Sequence, residues 1–171
     1  MILPPVRDPR LVTIRRGGSL TDDDHRLLAL WSAACAEHVL PLFEQGAPGD
    51  LRPRAAVEAI RAWTRGETGM MAARATGGHA MAAARDKHGA VRFAAYAAGQ
   101  AACVAQVAEH DLGAAAYAIK AVRASVDDTA SDEAGRAECR WQHAQLPAPV
   151  RSLVLADQAR RNPLCWFVFD V

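Results

Sequence analysis

The run AVRFAAYAAGQAACVAQVA, which begins at Ala90, contains nine alanines and no proline, and it limits the fold more than any other stretch of the chain. Alanine fills 38 of the 171 positions. It has the best intrinsic helix propensity and is small enough to let helices approach closely. The alternating Val, Ile and Thr that a sheet needs are nearly absent. An all-α fold follows. The run also carries Arg92, Gln100 and Gln106, so it reads as a packed central helix rather than a membrane span.

Punctuation along the chain predicts one domain over residues 1–171: an extended arm over 1–20, a helical bundle over 21–160 and an apolar tail over 161–171. LVTIRRGG is a β-like piece ended by Gly17 and Gly18, suited to an edge strand or an extended arm. Thr21 reads as an N-cap, with Asp22, Asp23 and Asp24 where the helix dipole favours anions. The first helix runs through Leu28, Trp31, Cys35 and Leu42, and Pro41 predicts a kink or an early stop near His38. GAPGD leads to a helix over 54–65, with Asp50 as cap and Gly66 at the exit. Further helices are expected over 68–87, 90–108, 112–126, from Ser131 through Trp141, and over VRSLVLADQARR. The total is seven, in one compact bundle. Gly99 and Gly113 interrupt alanine-rich helices at about 1 kcal/mol each, a cost that close helix contact would offset. Helices 90–108 and 112–126 are therefore the expected centre, with 54–65 outside. Gly77–Gly78, inside a helical pattern, marks a kink or a close contact.

On a helical wheel Arg54, Glu58, Arg61 and Arg65 form one stripe, and Val57, Ile60 and Thr64 form another. Glu58 is placed to pair with Arg54 and Arg61. Such a stripe is either a solvated face or a recognition surface; arginine alone is no base or nucleophile near neutral pH. Charge is balanced, 20 basic against 19 acidic residues with a net charge of +1, which argues against nucleic acid as the main partner.

Two Cys/His pairs, Cys35 with His38 and Cys139 with His143, have spacings that would share a helix face, and zinc accepts two of each residue. They lack turn flanks and lie a hundred residues apart, so no metal and no cofactor are expected. Carboxylate-bridged di-metal bundles need Glu-x-x-His motifs, and the chain has none. Glu109, His110 and Asp111 form an ionisable cluster that suits either a turn or, with His79, the mouth of an acid/base pocket. His88 lies at a helix end. Cys103 sits among alanines that should raise its pKa. No G-x-S-x-G elbow and no phosphate-cradling glycine loop occur, so no catalytic residue is assigned and the chain does not read as an enzyme. Four scattered cysteines and the absence of a secretory pattern at the start point to the cytosol.

Several phrases carry a resemblance. LRPRAAVEAIRAWTRGE, HAMAAAR and AAGQAACVAQVAEHDLGAAAYAIKAV, with DHRLLALWSAACAEHVLPLFE before them and WQHAQLPAPVRSLVLADQ after, resemble the Imm-5-like family of immunity proteins of bacterial polymorphic-toxin systems, over about residues 20–160. The family leads to an expected histidine where this chain has Gln100. The resemblance implies a helical cytoplasmic protein that binds a cognate protein toxin and blocks it by occlusion. Arg54, Arg61 and Arg65 would make the contacts, oriented by Glu58. The alternative is a small-molecule- or metal-binding helical protein with a pocket near His79 and His110. The tail CWFVFDV is a candidate homo-oligomer interface.

Overall fold

Thr21 opens the first long helix as expected: its Oγ1 accepts a hydrogen bond from the Asp24 amide at 3.0 Å, and the three aspartates occupy the first turn. In the computed structural model, which describes residues 3–170, α1 then runs without a stop from Asp22 to Gly46. It is followed by α2 (Arg52–Thr64), α3 (Met70–Ala83), α4 (Gly89–Cys103), α5 (Asp111–Arg123), α6 (Asp128–Ala144) and α7 (Ala148–Arg161). This is the all-α bundle of seven helices that the alanine bias implies. No strand occurs among the described residues.

The early stop at His38 does not occur, because Pro41 lies on the exposed side of α1. There the carbonyl that loses its helical partner still faces solvent. On the opposite side Val39, Leu40 and Phe43 are buried and hold both halves of the helix to the core. By length and composition α1 could cross a membrane, but more than half of its apolar window is buried inside the bundle against α2, α4 and α5.

α4 is the centre of the fold, in contact with α1, α2, α3 and α5. Its small side chains make this geometry accessible: Ala94, Ala95, Ala97, Ala98, Ala101 and Ala102 are all fully buried. Of the 38 alanines, 21 are buried, so helices here meet across methyl groups rather than large side chains. α3 and α4 meet backbone to backbone. A Cβ at Gly77 would lie 2.7 Å from the Gly99 carbonyl oxygen, and one at Gly99 would lie 2.9 Å from the Gly77 oxygen. The glycine pair marks a close contact, not a kink.

LVTIRRGG is not an edge strand. Pro9–Leu11 and Ile14–Arg16 form two 3-10 turns, Gly17 takes a φ of +85°, and one isolated bridge joins Thr13 to Leu20. Leu11 and Leu20 plug into the core, so the segment acts as a hook.

At the other end α7 gives way to a 3-10 turn over Asn162–Cys165 and then to two successive non-glycine residues at positive φ, Trp166 and Phe167, both at 58°. Left-handed backbone costs an L-residue about 1–2 kcal/mol. Asn162 holds the reversal: its carbonyl accepts from the Phe167 amide at 2.9 Å and its side-chain oxygen from the Phe169 amide at 3.1 Å. Cys165, Val168 and Phe169 turn inward, while Leu164, Trp166 and Phe167 stay exposed.

Candidate functional site

The α2 arginines are answered from elsewhere in the fold. Arg54 pairs with Glu44 of α1 at 2.6 Å, Arg61 with Glu37 of α1 at 2.5 Å, and Arg65 with Glu67 just beyond the helix at 2.7 Å. Glu58, expected to orient Arg54 and Arg61, pairs with neither; it is exposed, with no ion pair among the described residues. The wheel itself holds, since Val57 and Ile60 are buried and the arginines face outward.

The Glu109–His110–Asp111 cluster is built into the interior. Glu109 is buried in the turn before α5, and Arg7 of the N-terminal segment donates from Nε to its Oε2 at 2.5 Å. Asp111 opens α5 fully buried, its Oδ1 accepting from the Leu112 amide at 2.6 Å and from Arg161 at 3.2 Å. Arg161, at the end of α7, also donates to the Glu109 carbonyl at 2.8 Å and from Nε to Asp157 at 2.9 Å. One guanidinium thus ties α5, the preceding turn and α7 together. Burial nevertheless pushes the Asp111 carboxyl up to about 7; the pull of Arg161 offsets only part of that, and Asp157 adds to the rise. His110 donates from Nδ1 to the Gln100 side-chain oxygen at 2.7 Å, and burial, aided by Arg161, Arg74 and Arg7, drives its imidazole down to about 4. It is a neutral hydrogen-bond donor at neutral pH. Gln100, found where the family resemblance suggests histidine, is therefore its acceptor. His79 lies on the exposed face of α3, with no hydrogen bond to the cluster.

The two Cys/His pairs, distant in sequence, do meet across α1 and α6, but through other partners. His38 stacks on Trp141 with ring centroids 3.8 Å apart and donates from Nδ1 to buried Glu138 at 2.8 Å. His143 donates to Gln158 of α7 at 2.8 Å, with the Cys139 sulfur 3.7 Å away. Burial raises the Cys35 thiol well above its usual value and lifts Cys139 to about 11. Burial also raises Cys103, as its alanine neighbours imply. Among the described residues no three His, Cys, Asp or Glu side chains gather as a metal site would require.

The model of the family described as Imm-5 like putative immunity protein matches residues 18–149. The chain belongs to this family. No curated protein and no solved structure matches it. The matched span of this Imm-5-like chain runs from just before α1 to the first turn of α7, so it includes the arginine stripe and the Glu109–Asp111 cluster. The N-terminal hook and the C-terminal reversal fall mostly outside it.

Two features of this Imm-5-like fold escape sequence reasoning. One is a cleft of about 350 Å³ between the hook and α1, lined by Arg15, Arg16, His25, Trp63, Met70 and Gln106 among others. His25 there donates to the Val104 carbonyl at 2.6 Å, and burial lowers its pKa. The other lies at the C-terminal reversal, where Lys120 of α5 sits over two rings, its Nζ 3.9 Å from the Trp166 centroid and 4.6 Å from that of Phe93. Tyr117 joins Tyr96 to Trp166 in the same group, at centroid distances of 5.1 and 5.2 Å. The left-handed backbone at Trp166 adds the last ring to a group otherwise carried by α4 and α5, and bulky aromatics give no sequence signal for that conformation.

Proposed function

We propose that this protein protects the cell that makes it by binding a cognate protein toxin in the cytoplasm and covering its working surface. The observation that carries the reading is membership of the immunity-protein family across residues 18–149. The structure supports binding over chemistry in one respect: the Glu109–His110–Asp111 cluster, and the Glu138 carboxylate that meets His38, are spent on the fold, while His79 stands apart on the surface. Asp111, Glu109 and Glu138 are buried and held by Arg161, Arg7 and His38, and His110 is kept neutral by its surroundings. A bundle centred on a helix packed by alanine is a stiff body, and a stiff body loses little freedom on docking.

The arginine stripe of α2 remains a candidate contact, but its cations already have carboxylate partners. A toxin docking there would exchange exposed internal pairs for intermolecular ones, and exposed pairs are worth only about 0.2–1 kcal/mol. The test is co-expression with a polymorphic-toxin domain sought among the genes that neighbour this one. Growth should recover, and the two proteins should co-elute as one complex on size-exclusion chromatography. Unrelieved toxicity with no complex would overturn the proposal.

A further inference from the structure

Most exposed cations on this surface have an acidic neighbour: Arg52, Arg54, Arg61, Arg65, Arg136 and Arg140 each pair with a carboxylate. Exposed Arg16, Arg74, Arg85 and Arg151 have none among the described residues, and neither do the half-buried Lys120 and Arg92; of these six, Lys120 and Arg92 are the ones that lie against aromatic rings. Among the described residues Lys120 has only the faces of Phe93 and Trp166, and Arg92 only the ring and hydroxyl of Tyr96. The nearby acids are engaged, Asp132 by Arg123 and Asp170 by Asn162. Beside these cations Trp166 is 43 % and Phe167 58 % exposed, on a backbone that bulky residues avoid. The left-handed turn carries the Trp166 ring over Lys120 and leaves the neighbouring Phe167 exposed, and a strained, exposed aromatic pair is a feature from which a role can be inferred. A cleft of about 260 Å³ opens beside Trp166, lined by Phe93, Lys120, Arg123, Ala124, Trp166 and Val168.

We propose that this corner is a docking surface for the toxin, and that its occupant is a protein face presenting a carboxylate side chain next to aliphatic ones. The carboxylate meets the Lys120 ammonium, and the aliphatic groups cover Trp166 and Phe167. Aromatic anchors beside a half-buried cation are the composition of interface hot spots. Charge complementarity selects the occupant. A second copy docking through the same corner about a twofold axis would set Lys120 and Arg92 near their own equivalents, like charges that repel. This inference rests on the toxin-binding reading for the identity of the partner, but not for the chemistry of the surface.

A blocked peptide of six glutamates and two leucines, titrated into the ¹⁵N-labelled full chain at low salt, tests that chemistry directly. Amide shifts should concentrate in residues 92–96, 117–124 and 163–168. Lys120→Glu should weaken binding at least tenfold, whereas Lys120→Arg should retain it. Phe167→Gly keeps the left-handed backbone without a side-chain penalty and removes a mostly exposed ring, so it should melt close to the parent yet bind at least tenfold more weakly; Trp166→Gly should bind as weakly but melt lower, because it also loses the packing on Tyr117 and Lys120. Shifts centred on α2, or none at all, would overturn the proposal. So would a dimer in sedimentation that Phe167→Gly dissolves, which would assign the corner to a second copy. In co-expression with the toxin, protection by the parent should be lost in Lys120→Glu and Phe167→Gly. Protection that survives both changes would overturn this surface while leaving the immunity reading intact. If the parent itself fails to protect, the immunity reading falls and the peptide titration alone decides the surface.

Discussion

Three glycines in two helices offer a test in which neighbouring positions move stability in opposite directions. In α3 a Cβ at Gly77 would meet the Gly99 oxygen at 2.7 Å, the Cys103 sulfur at 3.0 Å and the Ala102 Cβ at 3.2 Å, while one at Gly78 meets nothing within 4 Å. Ordinary contact begins at 3.4 Å, so Gly77→Ala requires α3 and α4 to part by about 0.7 Å at the crossing. The obstacle is backbone, which has no rotamer to change, and α4 is wedged among four helices. Overpacking costs about 1–3 kcal/mol, a backbone obstacle places this crossing in the upper part of that range, at about 2–3 kcal/mol, and alanine returns about 1 kcal/mol of helix propensity. The expected net loss is then about 1–2 kcal/mol. A chain of this length loses about 2–4 °C in Tm per kcal/mol, so Gly77→Ala should melt about 2–8 °C lower. Gly78→Ala has only the propensity gain and should melt about 2 °C higher. Gly99→Ala meets Met81 at 2.5 Å as well as the Gly77 oxygen, and the double variant should lose less than the sum because the helices part only once. Thermal and urea melts followed by circular dichroism measure all four. If Gly77→Ala and Gly78→Ala both rise, the backbones do not touch at this crossing and the central packing is wrong.

Arg161→Leu should cost about 3–5 kcal/mol in urea unfolding, because it leaves Asp111 buried without a cation and Asp157 with Arg160 alone, and adding Asp111→Asn with Asp157→Asn should restore part of the loss. Because His110 is depressed from 6.5 to about 4 in the folded state, its contribution is fully present above pH 6.5 and is lost as pH falls toward 4. Asp111, raised to about 7, acts with the opposite sign over the same range, so the readout is the difference in stability between the parent and His110→Gln, which should shrink as the pH is lowered from 7 to 4. A difference that stays flat would show that His110 titrates normally. Changing Arg54, Arg61 and Arg65 together to glutamate sets like charges against Glu44, Glu37 and Glu67, which should cost about 1–3 kcal/mol in all without unfolding the chain, whereas Val57→Asp, at a buried site, should unfold it.

Local signals located the helices well where the chemistry is local. The Thr21 cap, the Gly66 exit at a φ of +76° and the face carrying Val57 and Ile60 depend on residues within a turn or two. Gly99 is legible as a close contact because glycine inside a helix has an energetic cost that needs an offset, whereas Gly77 reads equally as a kink until the structure sets it against Gly99. What could not be read is set by the third dimension. Glu58 satisfies the spacing rule for a helix pair, yet Arg54 and Arg61 reach carboxylates of α1 that no spacing rule names. The β-like LVTI found no strand to join, and its flanking proline and glycines closed turns instead. Pro41 did not stop α1 because the packing of Val39, Leu40 and Phe43 outweighs a local penalty. The α1–α6 meeting of His38 with Glu138 joins residues a hundred positions apart. Arg161 gave no hint of its role, since arginine is almost never buried unless paired, and its partners lie on other segments.

The Arg161 knot also sets a limit on how the molecule can be cut. The span that the family model matches ends at residue 149, one turn into α7, and a fragment trimmed to that point would discard the only cation within reach of Asp111 among the described residues. It would also strip Val150 and Val154 from the core and remove the Gln158 acceptor of His143. Such a fragment should populate a loosened, dye-binding state with its helices largely kept and its thiols open to alkylation. The smallest piece that folds on its own therefore extends at least through Arg161: a family outline drawn from sequence likeness and the cooperative unit of this protein have different ends.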